Sequence, residues 1–121
     1  MTIPMRFGYK ASSEQFGPRE LLDYAVLAEE MGFDSVFLPA HMQPRMHAGR
    51  HAPAPLPWLA AVGERTSRVP LAPSVLLPTV LYPPGVVAQA FATPRALQPG
   101  PRLLWTPPGQ RRNPVTPGAP C

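Results

Sequence analysis

The stretch Pro18-Arg19-Glu20-Leu21-Leu22-Asp23-Tyr24-Ala25-Val26-Leu27-Ala28-Glu29-Glu30-Met31-Gly32-Phe33-Asp34-Ser35-Val36-Phe37-Leu38 decides the fold. Proline suits the first turn of a helix, where its missing N–H is not needed, and Glu20 favours the positive end of the helix dipole. Leu21, Leu22, Ala25, Ala28 and Met31 fall on one helical stripe, with Arg19, Glu20, Asp23 and Glu30 opposite. Gly32 supplies a left-handed residue just past the helix end. Val36-Phe37-Leu38 is then a continuous apolar run, as in a strand covered on both faces. Helix, tight turn and buried strand in this order predict a parallel β/α arrangement with a right-handed crossover.

The same grammar extends in both directions. Met5 to Tyr9 alternates apolar with small or polar residues and predicts a strand before the helix, joined to it by a loop from Lys10 to Gly17. After Leu38 comes a long loop, Pro39 to Pro57, rich in His, Pro, Gly and Met. Trp58 to Arg65 predicts a second helix, Val69 to Leu76 a third strand, and Gly85 to Ala92 a third helix opened by Pro83 or Pro84. The long loop comes after a strand, and in parallel α/β folds that is the end where function is built.

Composition separates this part from the remainder of the chain. There are 20 prolines in 121 residues, against an average of about 5%. From Pro94 to Cys121 there are prolines and four arginines (Arg95, Arg102, Arg111, Arg112) but no acidic residue, and no sustained apolar period. The expected division is therefore residues 1–93 as the folded part and 94–121 as a disordered Pro/Arg-rich tail. The net charge of +4 belongs to the tail, because up to Thr93 seven basic residues balance seven acidic ones. Too few arginines and aromatics are interleaved for a nucleic-acid arm. A single cysteine, Cys121, rules out an internal disulfide. No apolar run approaches the ~18 residues of a membrane span, and no secretory leader is legible, so a cytoplasmic protein is expected.

Three stretches are more specific. They are Gly8 to Phe16 (GYKASSEQF); Gly49 to Pro53 (GRHAP) with Trp58 and Ala61 to Thr66 (AVGERT); and Ser74 to Thr79 (SVLLPT), leading to Val87 to Thr93 (VAQAFAT). Together they resemble the N-terminal part of glucose-6-phosphate dehydrogenases that use the deazaflavin coenzyme F420, within the luciferase-like TIM-barrel superfamily. The resemblance implies an α/β fold, an incomplete (β/α)₈ barrel carrying the first three β/α units of eight. It implies an oxidoreductase that transfers a hydride from C1 of glucose 6-phosphate to F420, in a family of homodimers.

The sugar C1 hydroxyl must lose a proton as the hydride leaves, and histidine is the side chain suited to that near neutral pH. By resemblance His41, just past the second strand, is the active-site histidine, and Ser74 and Val75 line the cofactor. Ala40 stands where the family carries aspartate, Arg45 where it carries tryptophan, and Leu77 where it carries threonine. His41, His47 and His51 share a loop without cysteine or acid, so no metal site is expected. The residues that grip the phosphate, and a fourth-strand acid, lie in the family beyond this region, so the chain alone is expected to be inactive. Another luciferase-like flavin or F420 enzyme, or a non-catalytic remnant of a broken gene, are the alternatives. Beyond Gly100 the resemblance stops in Pro101 to Pro108. One lysine beside ten arginines suits a GC-rich gene read out of frame from about there. Resequencing is expected to reveal a shifted frame near the Gly100 codon; an intact frame through Cys121 would contradict this.

Overall fold

The computed structural model describes residues 2–41, 44, 50–74, 76 and 82–97. Six elements alternate: β1 (Gly8–Lys10), α1 (Pro18–Glu30), β2 (Ser35–Leu38), α2 (Pro55–Arg65), β3 (Leu71–Pro73) and α3 (Pro84–Leu97). The strands form one parallel sheet in the order β1-β2-β3. Gly8 pairs with Ser35 and Lys10 with Phe37; Val36 pairs with Leu71 and Leu38 with Pro73. Three consecutive parallel β/α units are what the sequence predicts.

Helix α1 begins at Pro18 as expected. Leu21, Ala25 and Ala28 of its predicted stripe are buried and Leu22 is half-buried. Met31 differs: the helix stops at Glu30, Met31 is its C-cap, and the side chain is exposed. Gly32 follows with φ at 90°, the left-handed turn that lets the chain reverse into β2. Helix α2 starts at Pro55, ahead of the expected Trp58, because Pro55 and Pro57 both lie in a first turn where proline costs no bond. Strand β3 is shorter than predicted, since Ser74 already turns. Helix α3 runs through Pro94 to Leu97, four residues past Thr93.

The two faces of the sheet differ because side chains alternate along each strand. Val36, Leu38 and Leu71 join Leu21, Ala25, Trp58, Leu59 and Val62 in one core between sheet and helices. Tyr9 packs on this side too, edge-on to Phe33 with ring centroids 6.2 Å apart. The opposite face carries Gly8, Ser35, Phe37 and Ala72. A Cβ on Gly8 would lie 2.6 Å from Ser35 Oγ and 2.9 Å from the Phe37 ring, so only glycine lets β1 approach β2 this closely.

The amino ends of the strands are fastened by polar contacts. The Glu29 carboxylate accepts hydrogen bonds from the backbone N–H groups of Ser67, Arg68 and Val69, at 2.8–3.2 Å. Arg68 Nη2 donates in return to the carbonyls of Glu29 and Phe33. This ties the end of α1 to the turn that delivers β3. Phe7 and Asp34 similarly exchange two bonds of 2.7 Å, from Phe7 N to Asp34 Oδ2 and from Asp34 N to Phe7 O. The Arg65–Asp23 ion pair (2.7 Å) is exposed on both sides and adds little.

Burial pushes the Glu29 carboxyl up. The three backbone donors and the Arg68 guanidinium outweigh it, leaving the carboxyl below its ordinary value. A carboxyl whose folded pKa is lowered contributes stability that is present above the unfolded pKa, near 4, and is lost as pH falls through the folded one. Glu29→Gln is therefore expected to cost about 1 kcal/mol near neutrality, allowing for solvent screening. Thermal melts of the wild type and variant should converge below about pH 4. Melts that stay the same distance apart at every pH would contradict this role.

Candidate active site

The carboxyl ends of the strands form a rim opposite the Glu29 fastening. His41, three residues past β2, is half-buried there. Ser74 directly follows β3, and its N–H donates to the Leu38 carbonyl at 2.7 Å. The end of β3 is thus bonded to the end of β2, and the segment leading to His41 leaves from that same point. Val75, and with it Arg45, His47 and Leu77, lie outside the described residues. Ala40, beside His41, is half-buried and offers no polar side chain.

The loop after β1 closes the third side. Ala11 N donates to Phe37 O at 2.8 Å, so β1 is still bonded to β2 at the rim. Residues 12–16 then coil tightly, with the N–H groups of Gln15 and Phe16 donating to Ser12 O. Phe16 packs edge-on to Tyr24 of α1, with ring centroids 5.1 Å apart. Glu14 is half-buried in this coil, beside the start of α1.

The returning end of the long β2–α2 loop is pinned across this coil. Arg50 Nη1 donates to the Glu14 carbonyl at 3.0 Å. His51 Nε2 lies 3.9 Å from where a Gly17 Cβ would be. Trp58 Nε1 donates to the Pro18 carbonyl at 3.0 Å. That bond answers why an otherwise apolar core residue is an indole here: it fills the core and reaches a carbonyl in the first turn of α1. Sequence reading missed Glu14 and Arg50 as rim residues. Both lie inside the stretches that carry the resemblance, Glu14 in GYKASSEQF and Arg50 in GRHAP, but their contact spans 36 residues and no local pattern reports it.

A rim of this kind suits a flat heterocycle of the deazaflavin type that the resemblance implies. The inner face ends in Phe37, which is half-buried and offers apolar surface. His41 and Ser74 add a ring nitrogen pair and a hydroxyl for the polar edge of such a group. These residues fit it. Among the described residues no cluster of three or more His, Cys, Asp or Glu side chains could hold a metal ion. Among them, too, no helix is long and apolar enough to cross a membrane.

Comparison with known proteins agrees with this fold. The luciferase-like monooxygenase family matches residues 1–104, and the first relative below aligns over 98% of the chain, so the similarity runs well past Gly100, where the resemblance is expected to end. An F420-dependent glucose-6-phosphate dehydrogenase of Microbacterium testaceum is 64% identical over 118 residues, covering 98% of this chain and 35% of its own. The enzyme of the same name from Nakamurella multipartita is 62% identical over 112 residues, covering 93% of this chain and 33% of its own. The chain therefore spans about a third of the length of the curated relatives it matches. Among solved structures, an F420-dependent secondary alcohol dehydrogenase in complex with an F420-acetone adduct superposes with a TM-score of 0.79 and 34% identity. It covers 84% of this chain and 31% of its own. With most of its length matched and three β/α units in the expected order, the chain belongs to the luciferase-like monooxygenase family.

Proposed function

We propose that this chain forms the cofactor-side portion of an F420-dependent dehydrogenase acting on a CH–OH donor, with glucose 6-phosphate as the substrate. The observation that carries this reading is the shared rim of His41 and Ser74 at the carboxyl ends of β2 and β3. It is supported by relatives 64% and 62% identical that carry the F420-dependent glucose-6-phosphate dehydrogenase name. The solved alcohol dehydrogenase supports the cofactor and the wider reaction class.

When bound, the deazaflavin would supply the hydride acceptor. His41 takes the proton from the donor hydroxyl as its carbon is oxidised, which requires the imidazole in its neutral form. Ser74 and Val75 are the residues that would lie against the cofactor. The backbone of Ser74 is already fixed by the Leu38 carbonyl, so presenting its hydroxyl would add little backbone ordering cost. Ala40 leaves His41 without an acidic neighbour from that position. A cytoplasmic location, a homodimeric full-length protein and the absence of nucleic-acid or membrane partners complete the reading. The residues that grip the sugar phosphate belong to the two-thirds that relatives carry in addition, so the chain by itself binds cofactor without turnover.

Titration of the purified chain with coenzyme F420, followed by deazaflavin absorbance and fluorescence, tests this. Saturable binding in the micromolar range is expected. Replacement of Ser74 by alanine should weaken it several-fold, and His41→Ala should weaken it less. A chain that melts cooperatively yet leaves the deazaflavin spectrum unchanged would overturn the proposal.

A further inference from the structure

Building on the F420 reading above, we propose that Arg50 is a positioning residue of the cofactor site: its hydrogen bond to the Glu14 carbonyl sets the coil of residues 12–16 on the rim, and F420 affinity depends on that setting. The coil has little to hold it from within. Gln15 N and Phe16 N both donate to Ser12 O, at 3.0 and 3.3 Å, so a single turn converges on one carbonyl. One turn fixes several backbone dihedrals for few bonds and is unfavourable alone. Its support comes from outside. Ala11 N donates to Phe37 O where the coil begins, and Phe16 packs edge-on to Tyr24 where it ends. Between these two anchors the Glu14 carbonyl accepts from Arg50 Nη1 at 3.0 Å.

Three contacts follow one another in the same order along both segments: Arg50 with Glu14, His51 beside Gly17, and Trp58 with Pro18. They differ in what they hold. Trp58 is a core residue, 6% exposed, and joins α2 to α1. His51 is exposed. Arg50 and Glu14 are half-buried and join two stretches at the carboxyl ends of the strands, where His41 and Ser74 also lie. With Trp58 holding the helices together, the core does not need Arg50.

A guanidinium on a carbonyl is a charge-assisted contact made by a planar, directional donor. Arg68 uses the same device at the amino ends, on the Glu29 and Phe33 carbonyls at 2.9 and 3.0 Å. There it works beside the Glu29 carboxylate, and the product is stability. At the rim the product is position. A coil already set when the ligand arrives has no backbone left to order, and that difference appears as affinity.

The test titrates F420 into the wild-type chain and into Arg50→Met, Arg50→Lys and Arg65→Met, and records the thermal melt and amide exchange of each. Arg50→Met should bind F420 about tenfold more weakly. Its melting midpoint should stay within about 2 °C of the wild type. The Gln15 and Phe16 amides should exchange about tenfold faster, while Leu21 N, bonded to Gly17 O just past the coil, keeps its rate. Arg50→Lys retains a cationic donor and should recover much of the lost affinity. Arg65→Met removes the exposed Arg65–Asp23 pair between the same two helices, away from the rim, and should leave affinity unchanged. Arg50→Met binding as tightly as the wild type, unchanged exchange at Gln15 and Phe16, or a lysine variant no better than methionine would each overturn the proposal. So would an affinity loss matched by faster exchange at every protected amide, the mark of a merely structural role. A wild-type chain that leaves F420 unbound overturns the cofactor reading and this role with it; a wild type and an Arg50→Met variant that bind equally overturn this role alone.

Discussion

Strand β2 is the constraint on which the rest of the structure depends. Among the described residues it is bonded on both edges, to β1 through the Gly8–Ser35 to Lys10–Phe37 register and to β3 through Val36–Leu71 to Leu38–Pro73. Its side chains alternate between two jobs. Val36 and Leu38, fully buried, hold both helices of the core. Ser35 and Phe37 form the floor of the other face and leave room for β1 only because Gly8 has no side chain. A four-residue strand can carry this much because its amino end is held by Asp34 and its carboxyl end by the Leu38 carbonyl.

The polar residues divide between the two ends of the sheet. At the amino ends, Glu29, Arg68 and Asp34 spend their hydrogen-bonding capacity on backbone groups and produce rigidity. At the carboxyl ends, Arg50 fixes the β2–α2 loop to the β1–α1 loop and Trp58 fixes the start of α2 to the start of α1, while His41 and Ser74 sit on the rim. This is the division between stability and chemistry expected of parallel β/α folds. It gives the proposed function a physical basis independent of any relative: the rim residues stand on backbone that is immobilised from the other end.

What the sequence made legible was the part with local causes. Proline at the start of α1, the buried stripe of Leu21, Ala25 and Ala28, the left-handed Gly32 and the apolar β2 were all readable, because each signal lies within one turn or strand. The first strand was placed too early, at Met5, since alternation of Met5 and Phe7 looks like half-burial; in the structure both side chains are exposed and pairing starts at Gly8. The stop at Ser74 was not legible either, because it goes with the bond to Leu38, and the run of α3 through Pro94 goes against proline's helix propensity. For the candidate site, resemblance and position named His41, Ser74 and Val75. Glu29 on Val69 and Arg50 on Glu14 span 40 and 36 residues, and no local pattern reports contacts of that range.

If β2 is the shared constraint, the bonds it makes to its two neighbours should open together. Native-state hydrogen exchange of three amides measures this: Ala11, bonded to Phe37 O; Val36, bonded to Pro70 O; and Ser74, bonded to Leu38 O. Opening free energies that agree within about 0.5 kcal/mol, and fall by the same amount in Leu38→Ala, are the expected result. Ser74 exchanging far faster than Val36, with a free energy that Leu38→Ala leaves unchanged, would contradict the account, because the rim would then move independently of the strand said to hold it.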